Sequence, residues 1–177
     1  VGANGAGKTT LLHALVGLCP VTGGRARVCG LDPTDPRQAR RLRTQVGLVF
    51  QNADDQLFCG TVTDDVAFGP LNLGLSEEET RARVRRALAA VDAEALTERA
   101  GHQLSAGEKR RVALAAVLAM EPSVLLLDEP TGELDPQARR QLIGVLDGLP
   151  QTRLITAHDL EFILATCTYV AVMQAGG

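Results

Sequence analysis

The amino-acid sequence predicts an α/β domain in which a mainly parallel sheet is flanked by helices. Short apolar runs alternate along the chain with stretches whose apolar residues recur at helical spacing, as in strands joined by crossover helices. One run, Val124–Leu127, is apolar without alternation, which is typical of a strand covered on both faces. With 177 residues, 45% of them apolar and 22% charged, the chain fits a single domain over 1–177.

Four strands are predicted from the apolar runs. They are Val46–Phe50, Val124–Asp128, Leu154–Thr156 and Tyr169–Met173. Strand signals fade between Gln51 and Ser105, where helix and loop signals dominate. We therefore expect a helical subdomain at about 52–120, inserted into the sheet domain.

Four helices are predicted from the residues at their starts. The first follows a glycine-rich stretch and runs from about Lys8 to Leu18. Each of the others begins with Ser or Asp as the N-cap and a residue favoured in the first turn. These pairs are Ser76 with Glu79, Ser105 with Glu108, and Asp135 with Pro136.

Charge, cysteine spacing and hydropathy limit the classes of function. The formal net charge is −3, which lacks the basic footprint of nucleic-acid binding, so no nucleic-acid partner is expected. The four cysteines stand far apart without a C-x-x-C pair, which favours reduced thiols in a cytosolic protein over a zinc site or a disulfide framework. No apolar run approaches the ~20 residues that span a bilayer, so a partner would supply any membrane span.

The start of the chain fits the phosphate-loop pattern G-x-x-x-x-G-K-S/T in full and predicts a P-loop NTPase. Glycines allow backbone N–H groups to converge on an anion, and the following helix directs its positive end to the phosphates. Lys8 adds a charge for the β- and γ-phosphates, and Thr9 offers a hydroxyl to Mg²⁺. A chance glycine-rich turn is the alternative, and the helix signals directly downstream disfavour it. The predicted nucleotide-binding residues are Gly2, Ala3, Asn4, Gly5, Ala6, Gly7, Lys8, Thr9 and Thr10.

The apolar run that begins at Val124 ends in two acids. Ligands of an open α/β sheet bind beyond the carboxyl ends of its strands, so both acids should reach the phosphate region. Asp128 is predicted to hold Mg²⁺ through water, and Glu129 to orient or deprotonate the attacking water. The alternative is a strand that merely ends in polar residues and a turn at Pro130.

The segment Leu104–Glu108, with the sequence LSAGE, resembles the signature motif of ABC ATPases, usually written LSGGQ. Further positions resemble the same family in order along the chain. Gln51 corresponds to the Q-loop glutamine that contacts Mg²⁺, Asp135 to the D-loop aspartate that faces a partner subunit, and His158 to the switch histidine that reaches the γ-phosphate. The chain departs from the signature motif at Ala106, which replaces a glycine, and at Glu108, which replaces a glutamine.

Within that family, the chain looks similar to cobalt/nickel and energy-coupling-factor importers. The blocks that carry this similarity are QNADDQLF at 51–58, TV at 61–62, DVAFGP at 65–70 and EKRRV at 108–112. Glu108 itself suits this subfamily. The resemblance covers essentially the whole chain.

The resemblance implies an ATP-hydrolysing subunit that powers membrane import of cobalt/nickel ions or a vitamin, with ATP and Mg²⁺ as cofactors and with Glu129 and His158 as catalytic residues. It implies a head-to-tail dimer with an identical or paralogous ATPase subunit. The residues that would contact the partner's nucleotide are Ser105, Ala106, Gly107, Glu108 and Asp135. It also implies integral membrane transporter subunits, which would hold this chain at the cytoplasmic face of the membrane.

A soluble ABC ATPase that acts on DNA or the ribosome is the alternative function. Relatives of that kind carry coiled-coil or zinc-bearing insertions, or join two such domains by a linker. Neither feature is present between Gln51 and Ser105 or elsewhere in the sequence.

Compared with that family, the sequence is expected to be truncated at both ends. Of the strand that leads into the phosphate loop only Val1 is present, the aromatic residue that stacks on adenine would lie upstream, and the chain stops soon after Met173. Each unpaired buried backbone group costs about 1–3 kcal/mol. We therefore expect this fragment by itself to be unstable or deficient in nucleotide binding.

Overall fold

A computed structural model describes residues 1–174 of the chain. Over this range it has three β-strands and seven α-helices, with three short 3₁₀ turns between α2 and α5. The elements in order are α1 (Lys8–Leu15), α2 (Pro36–Gln45), β1 (Val46–Val49), α3 (Val62–Asn72), α4 (Glu77–Ala90), α5 (Ala106–Leu118), β2 (Val124–Asp128), α6 (Pro136–Asp147), β3 (Thr152–Thr156) and α7 (Leu160–Thr166).

The three strands form one parallel sheet with the order β1-β2-β3. In the central strand, Val124 pairs with Val46 on one side and with Thr152 on the other. Since all three strands run the same way in this register, their carboxyl ends meet at one edge of the sheet. The predicted α/β fold with a parallel sheet is confirmed, and β3 begins two residues before its predicted start.

The predicted strand Tyr169–Met173 is wrong for the residues that the structure describes. This segment makes a single isolated parallel bridge, between Met173 and Gly2, through the N–H of Met173 and the carbonyl of Val1. Tyr169 is 91% exposed. The β-rich composition gives these residues a preference for extended backbone, but a strand needs a neighbour that pairs with several consecutive residues.

The predicted helix starts agree with the structure. Ser105 and Glu108 form a reciprocal capping box at the start of α5. At α4, Ser76 caps the helix but the Glu79 side chain pairs with Arg83 instead, so the box is only half formed. Helix α1 ends at Leu15, three residues earlier than predicted, because the chain turns two residues later at Gly17, which has a left-handed φ of +67°.

Three of the seven helices, α2, α3 and α7, match none of the four predicted helices. Helix α3 lies within the stretch where helix signals dominate, and Thr61 caps it by accepting from the N–H of Asp64. Helix α2 begins with Asp35 and Pro36, the same pair that starts α6, and Asp35 accepts from the N–H of Arg37. Helix α7 is capped by Asp159, which accepts from the N–H of Phe162. Both starts carry a readable N-cap signal.

Helices α3, α4 and α5 fill the stretch between β1 and β2, and the structure shows no strand between residues 52 and 120. Their apolar faces belong to one buried cluster with the sheet: Val66, Leu88 and Leu114 lie in the same core as Val49 and Leu125. That residues 52–120 form a separate helical subdomain stays a prediction.

Gly47 on β1 provides a test of how closely the sheet packs on α5. A Cβ at this position would lie 2.1 Å from Cγ1 of the buried Val117 and 3.2 Å from Cγ of Pro122. We expect Gly47→Ala to lower the free energy of unfolding by about 1–3 kcal/mol. The matched control is Gly144→Ala in α6, where a Cβ meets no atom within 4 Å, and which should raise it by about 0.5–1 kcal/mol. Urea unfolding measures both, and equal effects of the two changes would contradict the packing.

Candidate functional site

The glycine-rich loop ends at the start of α1. Gly5 and Gly7 have left-handed φ angles of +79° and +92°, which glycine adopts without strain. Gly7 is the N-cap of α1 and offers no side-chain cap. The first N–H groups of α1 are therefore left for another acceptor, and a helix start of this kind binds anions.

Lys8 lies inside the loop rather than in solvent, with 7% of its surface exposed. Its Nζ donates to the carbonyls of Gly2 at 2.8 Å and Ala3 at 3.3 Å. The same Nζ lies 3.3 Å from Oε1 of Glu129. The structure thus brings the loop lysine and the predicted catalytic acid together.

Both acids at the end of β2 are buried, Asp128 at 2% and Glu129 at 6% exposure. The hydroxyl of Thr156, at the end of β3, donates to Oδ1 of Asp128 and accepts from the N–H of Glu129. Sequence reasoning missed Thr156. No sequence signal marks it, because the parallel register that sets it directly beside Asp128 appears only in the structure.

Glu129 has one carboxylate oxygen with remaining hydrogen-bonding capacity. Oε2 is buried and pairs with Nδ1 of His158 at 2.6 Å. Because a carboxylate oxygen can accept more than one hydrogen bond, Oε2 can also accept from a water molecule or a substrate group. His158 itself is exposed at the opening and follows β3 as predicted.

Two adjoining pockets collect the predicted nucleotide and metal residues. One, of about 410 Å³, is lined by 4–10 together with Gln51, Glu129 and His158. The other, of about 430 Å³, brings together Thr9, Gln51 and Asp128. These three side chains offer a hydroxyl, an amide and a carboxylate, and such oxygen donors with a single charge fit Mg²⁺ that is shared with substrate phosphates.

His13 also lines the second pocket, although a lone histidine on α1 carries no motif that would predict this position. Its ring packs edge to face against Phe50, with ring centroids 6.1 Å apart. The His13 ring thus forms an aromatic part of the pocket lining, which also includes Gln51.

The structure does not bring the signature residues to the phosphate loop of the same chain. Neither pocket is lined by any residue of 105–108. Ser105 and Ala106 are exposed, and the Glu108 carboxylate accepts from the N–H and the hydroxyl of Ser105, both at 2.8 Å. These hydrogen bonds, with some help from Arg99, lower the pKa of Glu108.

Gly107 and Asp135 both contact helix α6: Gly107 allows α5 to pack closely against it, and Asp135 caps its start. A Cβ on Gly107 would lie 2.8 Å from Cβ of Ala138, so a larger residue would push α5 from α6. Oδ1 of Asp135 accepts from the N–H groups of Gln137 and Ala138, and Asp135 is otherwise exposed. A role of either residue toward a partner subunit stays a prediction.

Comparison with known proteins decides the family. The sequence profile of the ABC transporter family matches residues 1–132, more than half of the chain. The chain belongs to the ABC transporter family. ABC cassettes have the P-loop NTPase fold, so the predicted fold class, a parallel sheet flanked by helices, is confirmed.

Two curated relatives cover 99% of this chain. The energy-coupling factor transporter ATP-binding protein EcfA of Carboxydothermus hydrogenoformans is 46% identical, and the chain covers 66% of its length. The cobalt import ATP-binding protein CbiO of Rhodobacter capsulatus is 49% identical, and the chain covers 64% of its length. The chain thus spans about two thirds of these ABC proteins.

Solved ABC structures superpose closely on this chain. The cbiO1 protein of Clostridium perfringens, described as part of the ABC transporter complex cbiONQ, is 39% identical with a TM-score of 0.90, over 99% of this chain and 72% of that one. The ATP-binding cassette MJ0796, solved as a dimer bound to ADP and Pi, is 26% identical with a TM-score of 0.86, over 99% of this chain and 79% of that one.

Thr156→Val tests how the ends of two strands fix the acids of this ABC site. Valine keeps the shape of the side chain but leaves Oδ1 of buried Asp128 without its donor, so we expect a loss of about 1–3 kcal/mol in the free energy of unfolding. Thr152→Val, at the exposed start of the same strand, is the control and should change stability by less than about 0.5 kcal/mol. Equal unfolding midpoints in urea for the two variants would show that the hydroxyl does not hold Asp128.

Proposed function

We propose that this chain is the ATP-binding and ATP-hydrolysing part of the ATPase subunit of a membrane importer. The observation that carries the proposal is the position of Glu129. Its carboxylate is buried beside the phosphate loop, with Oε1 3.3 Å from Nζ of Lys8 and Oε2 2.6 Å from Nδ1 of His158. This is the arrangement that a general base for an attacking water requires.

The residues of the chain divide the work of hydrolysis. The N–H groups at the start of α1 and the Lys8 ammonium bind the phosphates of ATP. Glu129 orients and deprotonates water, a role typically worth about 10²–10⁴-fold in rate, and His158 contacts the γ-phosphate. Thr9, Gln51 and Asp128 would hold Mg²⁺, which neutralises charge on the phosphates when it is bound.

A dimer completes the site in this proposal. Residues 105–108 begin a capped helix whose N–H groups suit an anion, yet they line neither pocket of their own chain. They would contact the nucleotide of a second subunit, identical or paralogous, and Asp135 would face that subunit. The dimeric state of the MJ0796 cassette with ADP and Pi supports this assembly.

Transport is favoured over a soluble role on DNA or the ribosome because EcfA and CbiO, at 46% and 49% identity, are named for transport. Cobalt/nickel ions or a vitamin are the proposed cargo.

None of the helices within 1–174 has the length and apolar character to cross a membrane. We propose that separate integral membrane subunits hold the chain at the cytoplasmic face, because the similar cbiO1 protein is part of an ABC transporter complex.

An exposed aromatic pair is a candidate contact for those membrane subunits. Phe58 and Phe68 are 63% and 48% exposed and pack edge to face with centroids 5.0 Å apart. Leu71, one turn further along α3, is 54% exposed. This apolar patch lies in the helical stretch after Gln51, through which we propose that hydrolysis is coupled to the membrane partner.

Two substitutions separate nucleotide binding from hydrolysis in the full-length protein. Glu129→Gln should keep ATP binding, lower the hydrolysis rate by about 10²–10⁴-fold and accumulate an ATP-bound dimer. Lys8→Ala should abolish ATP binding, because it removes the ammonium that meets the phosphates. Phosphate release, nucleotide binding and size-exclusion chromatography with light scattering measure these effects.

Two results would contradict the assignments. Normal turnover by Glu129→Gln would remove Glu129 from its role as base. Unchanged ATP affinity of Lys8→Ala would count against the phosphate loop.

A further inference from the structure

The segment that follows β1 is held by a buried arginine from another element. Arg110 on α5 is 5% exposed. Its Nη1 donates to the carbonyl of Phe50 at 2.7 Å and its Nη2 to the carbonyl of Gln51 at 2.6 Å. The planar guanidinium thus binds two successive carbonyls at once, which the point charge of a lysine does poorly.

Two neighbouring contacts fix the same segment to α5. Gln56 accepts from the N–H of Phe50 at 3.2 Å and donates to the carbonyl of Ala113 at 2.8 Å. Lys109 forms an ion pair with Asp54. Among the described residues 1–174, Arg110 is the side chain that hydrogen-bonds to Gln51 itself.

Burying a charged group without a carboxylate in contact is costly and calls for an explanation. Burial lowers the pKa of Arg110, and the negative charges of Glu133 and Asp128 nearby oppose this effect. Its Nε has no hydrogen-bond partner. The two carbonyls are therefore the groups that fix this side chain, and the backbone of Gln51 is fixed in return.

The position of Gln51 matters because its side chain lines both pockets of the nucleotide site. We propose that Arg110 is a positioning residue. From helix α5 it holds the backbone of Gln51 in the place where the Gln51 side-chain amide can bind Mg²⁺ that is bound with ATP. The inference rests on the proposed function. Arg110 lies two residues after Glu108, so one turn of α5 carries both the signature residues and the support of Gln51.

A purely structural role is the competing explanation, and the neighbouring arginine provides the matched control. Arg111, on the same helix, also donates to backbone carbonyls, those of Asp92 at 3.0 Å and Val91 at 3.4 Å. These carbonyls follow α4 and line neither pocket. Arg111→Ala therefore removes a similar contact without affecting Gln51.

The test measures binding of a non-hydrolysable ATP analogue to the full-length protein with and without Mg²⁺. Without Mg²⁺, Arg110→Ala should bind the analogue as the wild type does. With Mg²⁺, it should lose about 10- to 100-fold in affinity, the usual effect of removing a group that orients a metal ligand. Arg110→Lys should lose less, and Arg111→Ala should match the wild type.

A double-mutant cycle decides whether the effect passes through Gln51. Gln51→Ala and the double variant Gln51→Ala with Arg110→Ala should show the same Mg²⁺-dependent affinity. Losses that multiply in the double variant, or equal losses in Arg110→Ala and Arg111→Ala, would overturn the inference. If Arg110→Ala does not fold, the Mg²⁺-dependent affinities of Arg110→Lys and Arg111→Lys are compared instead, and equal affinities of these two variants would overturn the inference. A wild type without Mg²⁺-dependent ATP hydrolysis would overturn the proposed function instead.

Discussion

The parallel register of β2 with both of its neighbours is the constraint on which the site depends. It brings three strand ends to one edge of the sheet, and each end supplies one segment of the predicted site: Gln51 after β1, Asp128 and Glu129 at the end of β2, and His158 after β3. A shift of one residue would turn the side chains to the opposite face. The buried core on both faces of β2 therefore fixes the positions of the predicted site residues as well as stabilising the fold.

The groups around the site act mainly by holding other groups. Thr156 fixes the carboxylate of Asp128 and the backbone of Glu129 with one hydroxyl, and Arg110 fixes the backbone of Gln51. Catalysis of phosphoryl transfer consists largely of positioning and electrostatic stabilisation. We therefore expect Thr156 and Arg110, which hold site residues in place, to affect hydrolysis as strongly as residues that contact the nucleotide.

Local signals in the sequence predicted most of this fold, and partners in space account for the rest. Ser105 with Glu108 and the apolar run of β2 are complete within a few residues, so pattern and structure agree there. The predicted strand at Tyr169–Met173 failed because pairing needs a neighbour that composition cannot supply. The roles of Thr156 and Arg110 depend on contacts 28 and 59 residues away in sequence, which no local pattern records.

In the proposed dimer, ATP binds between the phosphate loop of one subunit and the start of α5 in the other. Mixing two inactive variants tests it most directly. Lys8→Ala disables the loop and Ser105→Arg blocks the helix start, so a mixed dimer of the two keeps one site with both surfaces intact. We expect each variant alone to be inactive and the mixture to regain ATP hydrolysis. A mixture as inactive as its components, or full activity of Ser105→Arg as a monomer, would contradict the claim.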